Sequence, residues 1–165
     1  MVIASWAAGV EVLISTKTML SSYAKNLRNR FEEGYGDAKN LRGRHPLSSL
    51  GFLSVAGADI PDQELDFAID MLRKLTSGPD VSDCCCLLLF GVADKAEITE
   101  SGAAERSIAD EAPREPNTEV ELVHDRTPED LSAGAFFRRL VSKALTHMPV
   151  SVYTQVRERQ ATATH

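Results

Sequence analysis

Lys17 is where chemistry is most readily placed in this sequence. It stands two residues after Ser15, at the end of the apolar run Val10–Thr16, and is followed fifteen residues later by Glu32. A lysine fixed at a strand end is a compact cation that can hold a phosphate oxygen or orient a water. A carboxylate brought beside it adds an oxygen donor suited to Mg2+. Glu11 is an earlier acid on the same strand face, because alternate residues of a strand share a side. Six residues of strand span about 20 Å, so Glu11 is out of reach of anything Lys17 holds.

The elements that must position this pair follow from the pattern around it. Val10–Thr16 is rich in β-branched residues and bounded by Gly9, which predicts a strand. Leu20, Ala24, Leu27, Phe31, Tyr35, Ala38 and Leu41 recur at spacings of three and four, which predicts an amphipathic helix. Ser21 or Ser22 is its expected N-cap, and Gly43 with Pro46 its stop. With about 100° per residue and Phe31 at the stripe centre, Glu32 leans toward Lys17 and Glu33 faces solvent. Lys25, Arg28, Lys39, Arg42 and Arg44 give the helix a basic side, a candidate surface for nucleic acid.

Ser15-x-Lys17, the helix glutamate Glu32 and the basic segment KNLRNRFEE together resemble a variant site of type II restriction endonucleases in the PD-(D/E)XK nuclease superfamily. In that subgroup serine replaces the acid two residues before the lysine, and a glutamate from the following helix takes over. The resemblance covers about Gly9 to Ala56. It implies Mg2+ as cofactor with Glu32 as ligand, DNA as partner, a catalytic role for Lys17, and Ser15 as the small residue that makes room for the glutamate. The superfamily's metal-binding aspartate lies upstream of the lysine strand. Only 16 residues precede Lys17 here, and none is aspartate. The resemblance therefore implies either a unit shortened at its N-terminus or an incomplete site, with weak cleavage or none.

The remaining chain supplies support. Ser49–Ala56 predicts a second strand, with Gly51 at a bulge or a close approach, and Asp62–Thr76 a helix striped by Leu65, Ile69, Leu72 and Leu75. Asp83–Val92 is uninterrupted and apolar, which predicts a strand covered on both faces. Its three consecutive cysteines point alternately to opposite faces and lack metal-ligand spacing, so they read as small core residues in a reducing compartment. Pro79-Asp80 and Asp94-Lys95 imitate the usual nuclease signature, but adjacent residues on a strand face opposite ways. Residues 94–118 read as an acidic exposed loop, Glu119–Val123 as a strand, and Thr127-Pro128 as the start of a helix reaching about His147. His124-Asp125 is a pair without further metal ligands. Val150–Tyr153 is expected as a short edge strand and the tail from about 157 as frayed.

At 165 residues the chain suits one domain. The expected class is α/β, with α+β as the variant: a mixed sheet flanked by helices, similar to a restriction-endonuclease core without its first elements. Met1–Ala8 is too short to span a bilayer and reads as a lead-in that pairs with the first strand, and the reading is cytoplasmic. The net charge of −6 is unevenly spread. Residues 17–58 carry seven Lys/Arg against three Asp/Glu, residues 59–130 six against nineteen, and residues 131–165 five against one. There is no internal repeat, Gly-rich phosphate loop or Ser-His-Asp signature. Two other functions fit: an inactive interaction module that keeps the basic helix, and an unrelated small-molecule-binding α/β domain. A homodimer is compatible with each.

Overall fold

The structure is a computed structural model that describes residues 1–5, 9–78, 81–92, 120–148 and 153–162. The expected acidic segment 94–118, the Pro79-Asp80 and Asp94-Lys95 steps, and most of the expected edge strand before Tyr153 lie outside the described residues. Five strands form one mixed sheet in sequence order: β1 (Val2–Ser5), β2 (Gly9–Met19), β3 (Ser49–Gly57), β4 (Cys84–Val92) and β5 (Val120–Val123). The three central strands run parallel, and β1 and β5 pair antiparallel at the two edges. The chain has the expected α/β architecture.

Two βα units build the centre. The long helix α1 (Tyr23–Arg44) joins β2 to β3, and α2 (Asp62–Lys74) joins β3 to β4. Both cover one face of the sheet. Their buried Leu27, Phe31, Leu65 and Leu72 pack on Met19, Phe52, Cys85 and Leu87. The other face is covered by α3 (Ala133–His147), whose Phe136, Leu140 and Ala144 meet Val12, Ile14, Cys84 and Cys86. The cysteine run is thus divided between two cores, as its period of two requires. All three thiols are free and buried, and burial pushes those of Cys84 and Cys86 up to about 12 and about 11.

Two glycines set the helix distances. A Cβ on Gly51 in β3 would stand 2.6 Å from the Phe136 ring, so only glycine admits α3 there. A Cβ on Gly34 in α1 would stand 2.6 Å from the buried Phe52 ring, so the helix seats on the sheet through its bare backbone. Asp83 then ties α1 to the strand starts: Oδ2 accepts from the Leu50 backbone N–H at 2.7 Å and from Arg42 at 2.8 Å.

The structure corrects two boundaries. Thr127 is not a helix cap: its Oγ1 is buried without a partner, and only a 3-10 turn, Glu129–Leu131, follows. Helix α3 begins after Ser132, whose hydroxyl accepts from the Ala135 N–H. The tail is also more ordered than its polar composition predicts. Thr154–Thr162 forms α4, held by Arg157 donating to the Leu145 and Met148 carbonyls at the end of α3. Just before it, the Tyr153 hydroxyl meets both carboxylate oxygens of the buried Glu11 at 3.0 Å. Among the described residues no helix is long and apolar enough to cross a membrane.

Candidate functional site

The site assembles where β2 outruns its neighbour. β1 pairs with β2 only as far as Leu13, so the half from Ser15 to Met19 is hydrogen-bonded to β3 alone. Ser15 and Lys17 share the strand face that α1 covers. The buried residues of α1 are Tyr23, Leu27, Phe31, Gly34 and Ala38, a stripe centred between Phe31 and Gly34. Relative to the sequence expectation, the helix is rotated by a few tens of degrees. Gly34 is inside, while Tyr35 and Leu20 are half exposed. That rotation decides which acids meet the strand.

Lys17 Nζ lies 3.1 Å from Asp37 Oδ2 and 3.4 Å from Glu33 Oε2. The Ser15 hydroxyl donates to the same Asp37 Oδ2 at 2.8 Å. Glu33 and Asp37 are four residues apart on the helix and therefore stacked on one face. Arg30, three residues before Glu33, closes the cluster with bonds of 3.1 and 2.8 Å to its two oxygens. The expectation that Glu32 meets Lys17 and Glu33 faces away is thus reversed. Asp37, absent from the sequence reading, is Lys17's nearest carboxylate.

The electrostatics follow from these contacts. The Asp37 carboxylate, bonded to the Lys17 ammonium, raises the lysine above its ordinary range against the opposing effect of burial, with Glu33 adding to the rise. Arg30, and then Lys17, hold the Glu33 carboxyl below its usual range. Lys17 is therefore a firmly protonated donor at neutral pH and not a general base. Beside the cluster lies a cleft of about 400 Å3 lined in part by Ser15, Asp37, Asn40 and Arg44.

The other sequence-selected residues are dispersed. Lys25, Arg28, Glu32 and Lys39 lie on the opposite flank of α1, where Arg28 and Glu32 line a groove against α2. Arg42 is absorbed by structure, donating to the Ser48 carbonyl at 2.8 Å and to Asp83. Arg44 belongs to the strand-side cleft. The five basic residues thus do not form one surface. Among the described residues no three His, Cys, Asp or Glu side chains gather as a metal-binding group.

The signal for Asp37 was present in the sequence. It stands at i+4 from Glu33, and a stripe centred on Gly34 turns both toward the strand. Comparison of the chain with protein-family models, with curated proteins and with solved structures returned no match.

Proposed function

We propose that the chain is a nuclease-like domain whose Ser15, Lys17, Glu33 and Asp37 form a phosphodiester-hydrolysis site acting on DNA with Mg2+. The observation that carries this reading is the convergence of Ser15 and Lys17 on Asp37, with Glu33 as second carboxylate. It gives Lys17 two acids in reach, where the sequence alone offered Glu32. The donor set fits a sparse Mg2+ site, since that ion is commonly held by one or two carboxylates together with substrate phosphate. Asp37 and Glu33 would hold it, and the ion would supply Lewis-acid polarisation of the phosphoryl oxygen.

The chain's own residues have separate tasks. Lys17, kept protonated, donates to a non-bridging phosphate oxygen and stabilises its growing negative charge. Ser15 fixes the carboxylate orientation through its bond to Asp37. Arg44, on the adjoining cleft, contacts a flanking phosphate. A water oxygen bonds to phosphorus as one P–O ester bond breaks, and the departing oxygen takes a proton.

The cluster holds two cations, Lys17 and Arg30, against two anions, so its carboxylates are already neutralised. A metal must compete with both, and turnover is expected to be slow. The same neutrality favours a second reading, an inactive module that retains nucleic-acid or protein binding.

Nicking of supercoiled plasmid in Mg2+ or Mn2+, run beside salt-dependent duplex binding, separates the two. The first reading predicts slow nicking that Lys17→Ala and Asp37→Ala abolish while binding persists. Binding with no nicking supports the second, and the absence of both removes DNA as the partner.

A further inference from the structure

The flank of α1 facing away from Lys17 carries a second, independent feature. Lys25, Arg28, Glu32, Tyr35 and Lys39 follow one another at spacings of three, four, three and four, which makes a continuous stripe about 21 Å long. Between this stripe and α2 runs a groove of about 680 Å3. Its floor is apolar, made by Phe31, Phe67, Met71 and Leu75, and the Phe31 and Phe67 rings meet edge-on at 6.4 Å. Phe31 and Leu75 are buried at its base, and the exposed apolar surface is that of Phe67, 38% exposed, and of Tyr35 on the stripe, 50% exposed. Contiguous exposed apolar surface rimmed by charge is characteristic of an interaction site, whereas scattered exposed residues are not.

The charge on the rim points to the occupant. Lys25, Arg28 and Lys39 make no ion pair among the described residues, as Arg44 and Arg138 do not, whereas Arg30 pairs with Glu33, Arg42 with Asp83, Arg73 with Asp130 and Arg126 with Asp62. On the α2 side, Lys74 already neutralises Asp70 at 2.6 Å. Of the α1 residues that line the groove, Arg28 is the cation and Glu32 the anion, and Lys25 and Lys39 extend the stripe beyond the lining at its two ends. An apolar floor between helices, edged by a helix stripe that carries three cations over about four turns, matches the apolar face and acidic flank of a docking helix.

We propose that the groove between α1 and α2 binds an acidic amphipathic helix of a partner protein. Its apolar side chains rest on Phe31, Phe67 and Met71, and its carboxylates pair with Lys25, Arg28 and Lys39. Glu32 sets the register by excluding an acid at the centre. Single-stranded nucleic acid is the less suited occupant, because Glu32 stands on the lining and repels phosphate.

The test uses a fluorescein-labelled synthetic peptide of about four helical turns. Leu and Phe occupy positions i, i+4 and i+7 and Glu the flanks, with a control in which every Glu is Lys. An oligothymidylate is the third probe, and anisotropy is the readout. The Glu peptide is expected to bind in a salt-sensitive way and the Lys peptide at least about tenfold more weakly. Arg28→Glu and Phe67→Ser are each expected to weaken the Glu peptide by about tenfold or more. Arg28 is exposed, so its variant keeps the fold even if Phe67→Ser does not. Lys17→Ala should leave peptide binding unchanged, which separates this groove from the proposed hydrolytic site. The proposal is overturned if the Glu peptide fails to bind, if both peptides bind equally, if Arg28→Glu has no effect, or if oligothymidylate binds in preference.

Discussion

The two flanks of α1 carry opposite balances of charge and meet opposite fates. On the strand side Glu33 and Asp37 find Lys17, Ser15 and Arg30, and the two acids are matched by two cations. On the α2 side Lys25, Arg28 and Lys39 form no ion pair among the described residues, and Arg28 borders apolar surface with Glu32 beside it. The helix makes only part of this difference; what stands opposite each flank makes the rest. A stretch of β2 that pairs with β3 alone brings a lysine and a hydroxyl to one side, and α2 brings Phe67 and Met71 to the other. A matched cluster positions groups for chemistry, whereas an unmatched one waits for a partner.

Both flanks depend on how closely α1 sits against Phe52, so the largest expected effect comes from Gly34. Gly34→Val forces a Cβ to 2.6 Å from a fully buried ring. Overpacking of this kind costs about 1–3 kcal/mol, less the modest gain from removing a mid-helix glycine. Chemical denaturation should show net destabilisation. A gain in stability would mean the helix is not seated as described, and the comparison of its flanks would lose its basis.

A smaller effect should distinguish the flanks directly. Asp37→Ala strips Lys17 of its nearest partner and Ser15 of its acceptor. Because Asp37 is 41% exposed, solvent screening limits the loss to about 1 kcal/mol or less. Alanine at Lys25, Arg28 and Lys39 together should change stability by less than about 0.5 kcal/mol, as surface substitutions away from contacts usually do. Equal losses on the two sides would erase the asymmetry.

The smallest effect is a titration. Glu33 is held below 4.5, so the stability it contributes is present above that pH and is lost as pH falls through its lowered midpoint. Lys17 is held above 10.5, and its contribution is present below that pH and lost as pH rises through the raised midpoint. The strand-side cluster should therefore stay intact from mildly acidic to alkaline pH. Arg30→Ala removes the chief cause of the Glu33 shift. NMR titration of the Glu33 carboxyl should then show its midpoint moving back toward 4.5, and an unmoved midpoint would mean Arg30 does not hold it.

How much of this was legible in the sequence depends on what each residue announces. The five main elements from β2 to β4 and the helix α3 were readable because their apolar spacing is unambiguous. CCCLLLF declared a strand buried on both faces, and Gly51 declared a bulge or a close approach, of which the structure shows the close approach. The rotation of α1 was not readable from hydrophobicity. Gly34 is buried for what it lacks, and a pattern built on apolar side chains passes over it in favour of Tyr35. That one substitution in the stripe put Glu32 where Glu33 belongs and hid Asp37. Helix α4 was missed for a related reason, since its anchors are tertiary: Arg157 reaching the end of α3, with Tyr153 on Glu11 just before the helix. Neither contact has a local signature.

The hydrolytic reading stands or falls on whether Glu33 and Asp37 accept a divalent ion in competition with Lys17 and Arg30. Paramagnetic broadening by Mn2+ in the backbone NMR spectrum measures this without requiring turnover. The account predicts broadening at low Mn2+ concentrations centred on Ser15, Lys17, Glu33 and Asp37, lost in Asp37→Asn and spared in Arg28→Glu. Broadening spread over the acidic residues of α2, or none at these four positions, would contradict it.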